Sequence, residues 1–159
     1  TICTHNRQML LDTGEVHSVI EQWWNKLPER FPGIETGEIV IMSNHIHCII
    51  FIVGAVHEPP RHNEGAIREL PLRQKRRNML LSKIIGYFKM NTAKSIADYS
   101  NGIRKTQLLS IWQRNYYEHV IRDEPELNRI REYIINNPIK WQFDRENPDR
   151  ISDKQYEQE

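Results

Sequence analysis

The stretch Ile41-Met42-Ser43-Asn44-His45-Ile46-His47-Cys48-Ile49-Ile50-Phe51-Ile52-Val53 decides the fold. Apolar and β-branched residues flank a short Ser43-Asn44 pair, which is the composition of two strands joined by a tight turn. Alternate side chains of a strand share a face, so His45 and His47 project together while Ile46 points the other way. Two imidazoles held that close on a rigid strand make up most of a divalent-metal site, and such an ion can polarise a phosphoryl or carbonyl oxygen. Two strand-end histidines packed beside a turn would read the same. The pair needs support from elsewhere in the chain.

Outward from the hairpin (Glu35 to Met42, then His45 to Val53) the remaining elements follow from period and punctuation. Thr1 to Arg7 reads as a first strand. Thr13 to Leu27 has helical period, with Val16, Val19, Ile20, Trp23 and Trp24 on one side, Asp12 or Thr13 as cap, and Pro28 and Pro32-Gly33 to end it. Residues 54–77 hold Gly54, Pro59-Pro60, Gly65 and Pro71, then Arg73-Gln74-Lys75-Arg76-Arg77, the pattern of a mobile basic loop. Asn78 to Asp98 reads as a long helix with Leu80, Leu81, Ile84, Ile85, Phe88 and Ala93 inward and Lys83, Lys89 and Lys94 outward. Ile111 to Ile121 reads as a further strand. The order β-α-β-β-α-β-α implies an α+β fold, with helices packed on a central, mainly antiparallel sheet. One domain is expected over residues 1–141, followed by a polar tail over 142–159.

The segment from Asp123 to Pro138 reads as a helix with both ends marked. Asp123 is a capping residue with Glu126 three positions on, and Pro125 falls in the first turn, where a missing N–H costs nothing. Pro138 should close it, because the residue before a proline is pushed away from helical backbone. Leu127, Ile130 and Ile134 give a buried stripe. Tyr133 and Asn137 are four apart and lie one above the other. A tyrosine with an amide oxygen one turn further on can supply a nucleophile and a third metal ligand together. An amphipathic core tyrosine is the plainer account of Tyr133, and Asn136 competes with Asn137, although the four-residue offset favours Asn137.

At 159 residues the chain can bury a substantial core, and a mean hydropathy of −0.68 is that of a soluble protein. No window approaches a membrane span and no signal segment opens the chain. Two cysteines, Cys3 and Cys48, fit neither a disulfide framework nor a cysteine metal motif, so a cytoplasmic location is expected. The net charge is only +1, yet between Arg61 and Arg122 there are 13 Lys/Arg against 4 Asp/Glu. A basic middle with acidic ends suits a polyanion-binding face on a near-neutral protein, and a solvated loop and helix face would carry the same charges.

Four phrases taken together resemble the REP-associated tyrosine transposase branch of the HUH single-tyrosine transposases. They are Thr4-His5-Asn6-Arg7, then Val40 through His47, then Ile111-Trp112-Gln113-Arg114-Asn115-Tyr116-Tyr117-Glu118-His119, and Arg131-Glu132-Tyr133-Ile134-Ile135-Asn136-Asn137-Pro138. The resemblance covers residues 1 to about 141. It implies an HUH-endonuclease-like (ferredoxin-like) layer architecture with the histidines on a middle strand. It also implies a divalent ion, Mg2+ or Mn2+, on His45, His47 and Asn137, with Tyr133 as the covalent nucleophile. The implied substrate is single-stranded or hairpin DNA, cut and rejoined through a phosphotyrosine at the 5′ end. DNA-contact candidates are Arg7, Arg73, Lys75, Arg76, Arg77, Lys83, Lys89, Lys94, Trp112 and Arg114, with Trp112 equally suited to the core.

Departures from the family pattern are Ser43 where proline is common, Cys48 where glycine is common, and a short stretch between Leu11 and Val16. These departures keep a second function open, a non-catalytic, domesticated hairpin-DNA-binding module. A zinc hydrolase built on His-x-His fits less well, since an amide third ligand and the lack of an adjacent general base suit a harder ion. Monomer and dimer are both compatible with the sequence.

Overall fold

The computed structural model describes residues 1–53, 79–99, 111–143 and 147. Strand β1 is Ile2–Cys3, and a 3-10 turn follows over His5–Arg7. Helix α1 spans Gly14–Asn25 and α2 Leu27–Arg30. The hairpin is β2, Ile34–Met42, and β3, His45–Ile52. Helix α3 spans Leu80–Tyr99 and α4 Glu124–Lys140, with a 3-10 turn over Trp141–Phe143. The sheet is antiparallel in the order β1-β3-β2, so the histidine strand is central. This is the α+β class expected. Among the described residues no helix is long and apolar enough to cross a membrane.

The two faces of β3 have different fates. Ile46, Cys48 and Ile50 join Ile2, Ile34, Ile39 and Ile41 under α1 and α3, against Ile20, Trp24, Ile84, Ile85, Phe88 and Ile96. Phe88 sits at the centre with no exposed surface, edge-on to Trp24 at 5.9 Å and tilted against Trp112 at 6.4 Å. Ile34 and Ile39 both face this core although five positions apart, an odd spacing that strict alternation forbids. A register break between Thr36 and Ile39 resolves it. Gly37 lies in that bulge because a Cβ there would meet Phe51 at 2.9 Å and Ile49 at 3.2 Å. The break leaves Glu38 on the opposite face, where its Oε1 lies 2.6 Å from Arg131 Nε of α4. Helix α4 therefore covers the histidine face, and the sheet is sandwiched between α1/α3 and α4.

Three sequence expectations are corrected. Ile111–Ile121 is extended but forms no sheet strand beyond a single bridge between Trp112 and Thr4. Gln113 N donates to Cys3 O and Tyr117 N to Thr1 O, both at 2.9 Å, but between them the carbonyls of Gln113 and Asn115 turn to the Lys89 ammonium, each 2.9 Å away. A two-residue β1 offers too short a ladder to hold the segment flat. The first strand is likewise cut short, because Asn6 and Arg7 take left-handed backbone (φ 51° and 56°). Pro138 does not close α4, which runs on to Lys140, where the Trp141 amide caps Pro138 O. Ile134 and Asn137, both buried, hold that last turn against the sheet. Their packing outweighs one missing hydrogen bond.

Both helix starts behave as the sequence implies. Thr13 Oγ1 accepts from Val16 N, and Asp123 Oδ1 accepts from Glu126 N at 2.8 Å. Glu126 reaches back to Arg122 N at 2.9 Å and to the His119 ring at 2.9 Å, contacts that hold its carboxyl below the usual range, the imidazole contact first. His119 is thus tied to the start of α4. That support exists above the usual carboxylate range and is lost as pH falls through the lowered value.

Candidate active site

Strand alternation brings His45 and His47 to one face, as expected, with their Nε2 atoms 3.0 Å apart and their rings edge-to-face at 4.8 Å. Asn137 arrives from α4, its Nδ2 3.4 Å from His47 Nε2. One turn earlier Tyr133 stands edge-on to the His47 ring, centroids 5.5 Å apart, with 55% of its surface exposed. Four side chains from two elements meet in this way, the nearest in sequence, His47 and Tyr133, being 86 residues apart. Cys48 lies on the opposite face, and burial pushes its thiol up to about 11, so it stays a packed thiol.

The residues fit a divalent ion. Each imidazole has an outer partner at Nδ1, Asn44 Oδ1 at 2.6 Å for His45 and Thr1 Oγ1 at 3.0 Å for His47. Partners there leave Nε2 available as a ligand. Asn137 Oδ1 is buried without a hydrogen-bond partner. Turning that amide by 180°, which exchanges its nitrogen and oxygen in place, points the oxygen at the histidines. Among the described residues no three His, Cys, Asp or Glu side chains form a metal-sized group, so the donor set here is two imidazoles and an amide oxygen. Trp141 packs on His45, rings 5.7 Å apart. Sequence spacing singled out neither Thr1 nor Trp141, since both reach the site only through the fold.

The proposed DNA contacts divide. Arg7, Lys83, Lys94 and Arg114 are exposed. Arg73, Lys75, Arg76 and Arg77 lie outside the described residues. Trp112 is corrected to a core residue, buried with its indole N–H on Thr92 Oγ1 at 2.9 Å. Lys89 is corrected too. Its ammonium is engaged by two carbonyls and lies over the Tyr116 ring, and burial lowers its pKa from 10.5 to about 8. Between those values the unfolded chain holds the extra proton, so stability rises with pH there. Urea unfolding at pH 7 and pH 10 should show that gain in the native chain and its loss in Lys89→Met.

A cleft of about 1120 Å³ opens beside this site, bordered among the described residues by His47, Tyr116, His119, Arg122, Tyr133 and Ile134.

No protein-family model matches the chain. It is 35% identical over 153 residues to a protein of Haemophilus influenzae described as an uncharacterized protein, a match spanning 91% of this chain and 81% of that one. The two belong to one family. A second Haemophilus influenzae protein, described as "Putative REP-associated tyrosine transposase", is 29% identical over 112 residues, or 70% of this chain. That match spans about half of the relative, 53% of its length.

Proposed function

We propose that this protein is a metal-dependent endonuclease and strand transferase for single-stranded or hairpin DNA, acting through a phosphotyrosine at Tyr133. The observation that carries the reading is the meeting of His45, His47, Asn137 and Tyr133 on one sheet face. The likeness to a protein described as a REP-associated tyrosine transposase points the same way. A divalent ion, Mg2+ or Mn2+, held by His45, His47 and Asn137 would neutralise charge on the scissile phosphate and fix its orientation.

The chain's own residues do the rest. Tyr133 is exposed and borders the cleft, so a phosphodiester can approach its hydroxyl in line. Its oxygen bonds to phosphorus, the bond to the 3′ oxygen breaks, and the phenolic proton passes to solvent while the departing 3′ oxygen gains one. The 5′ end stays on Tyr133, so the ester bond energy is conserved. A 3′ hydroxyl then attacks the same phosphorus and displaces the tyrosine, which rejoins DNA without ATP.

The test is incubation of the full chain with 5′- and 3′-labelled hairpin oligonucleotides, with Mn2+ or with EDTA. A metal-dependent adduct carrying the 3′ label, resistant to denaturation, is the expected result. Binding without any adduct would favour the non-catalytic hairpin-binding module. The basic middle should make affinity salt-dependent: alanine at Arg73, Lys75, Arg76 and Arg77 is expected to weaken binding to any sequence and flatten the slope against salt. An unchanged slope would reduce that run to solvated surface.

A further inference from the structure

We infer that Asn44 is a positioning residue that holds His45 in one tautomer, protonated at Nδ1, with the lone pair of Nε2 directed at His47. The inference rests on the metal-site reading above for its consequence, but its geometry stands alone. Asn44 is fully buried in the hairpin turn. Its Nδ2 lies 3.3 Å from the carbonyl oxygen of Arg7. A carbonyl only accepts, so the amide atom facing it is the nitrogen. The other amide atom, Oδ1, then faces His45 Nδ1 at 2.6 Å. An amide oxygen also only accepts, so the proton of the neutral imidazole sits on Nδ1 and the Nε2 lone pair faces His47 Nε2, 3.0 Å away.

The chain from Arg7 C=O through Asn44 to His45 therefore has one allowed direction. Its anchor is fixed on both sides. The Arg7 carbonyl is presented by the left-handed turn at Asn6 and Arg7. The Asn44 backbone oxygen accepts from both Thr4 N and Thr4 Oγ1, each at 2.9 Å. The amide can neither rotate nor slide without breaking a contact. On the opposite side of the pair, Thr1 Oγ1 can donate or accept, so no such direction is imposed on His47. The two histidines are thus not equivalent: His45 is preset and His47 can adapt.

The test uses the full chain labelled with 15N, at a pH where both imidazoles are neutral. Long-range 1H–15N spectra read the His45 tautomer directly, and calorimetric titration with Mn2+ alone reads the site's affinity. The native chain should show His45 protonated at Nδ1. Asn44→Leu should let the proton populate Nε2 and weaken Mn2+ binding by roughly 10- to 100-fold, the usual effect of losing an outer partner. Asn44→Asp keeps the acceptor, so it should keep the tautomer and recover most of the affinity. A native His45 protonated at Nε2 would overturn the inference, and this spectrum decides even if Asn44→Leu fails to fold. So would a folded Asn44→Leu with unchanged tautomer and affinity. The preset tautomer in a native chain with no Mn2+ affinity would sustain the role of Asn44 and remove the metal-site reading instead.

Discussion

His47→Ala is expected to lower metal-dependent DNA cleavage by at least about 10²-fold, the scale of losing one group that stabilises developing charge. His47 lies between every other member of the site. Its Nε2 is 3.0 Å from that of His45 and 3.4 Å from the Asn137 amide, and its ring supports Tyr133. Under the proposed function its removal therefore takes away a ligand and loosens the nucleophile at once. The ring is only half-buried and lies outside the hydrophobic core, so the fold should survive. Initial rates on a labelled hairpin with Mn2+, beside a circular dichroism spectrum, separate the two effects. A rate close to the native one would take His47 out of the chemistry.

Phe88→Ala is expected to destabilise the fold by about 3–5 kcal/mol, because it removes a wholly buried ring and leaves a cavity. The ring joins three parts of the molecule: α3, which carries it, Trp24 of α1, and Trp112 of the extended segment. Thr92 couples them further, accepting from the Trp112 indole at 2.9 Å and donating to Phe88 O at 2.8 Å. For a chain of this length the loss corresponds to a thermal midpoint lower on the order of 10 °C. Thermal unfolding followed by circular dichroism measures it. A shift of only a degree or two would mean that the core repacks around the gap.

Much of this architecture was legible because periodicity and caps are local signals. The His45-Ile46-His47 alternation placed both imidazoles on one face, and Asp123 with Glu126 marked the start of α4 to the residue. Elements whose outcome depends on distant partners were not legible. Ile111–Ile121 has strand composition, but Lys89, which reaches it from α3, takes the carbonyls a ladder would need. Pro138 carries a local stop signal that the packing of Ile134 and Asn137 overrides. The bulge at Gly37 was readable in principle from the odd spacing of Ile34 and Ile39, because both are isoleucines and a single face must bury them.

Within the candidate site, the paired imidazoles and the four-residue step from Tyr133 to Asn137 were visible in the chain, whereas their outer partners were not. Asn44 precedes His45 in sequence, yet only the fold brings Arg7 to its amide. Trp112 and Lys89 show the converse: residue types that suit DNA contact, drawn inward by Thr92 and by the carbonyls of Gln113 and Asn115.

The central claim is that Tyr133 is the sole covalent nucleophile, and intact mass measurement after incubation with hairpin DNA and Mn2+ tests it most directly. Tyr133→Phe removes one oxygen and keeps the ring that packs edge-on against His47. The native chain should gain the mass of a DNA fragment, while the Tyr133→Phe chain, still folded and still binding the hairpin, should gain none. An adduct of the same mass on the Phe variant would contradict the account and move the nucleophile to another residue, with Tyr116 and Tyr117 beside the cleft the first to examine.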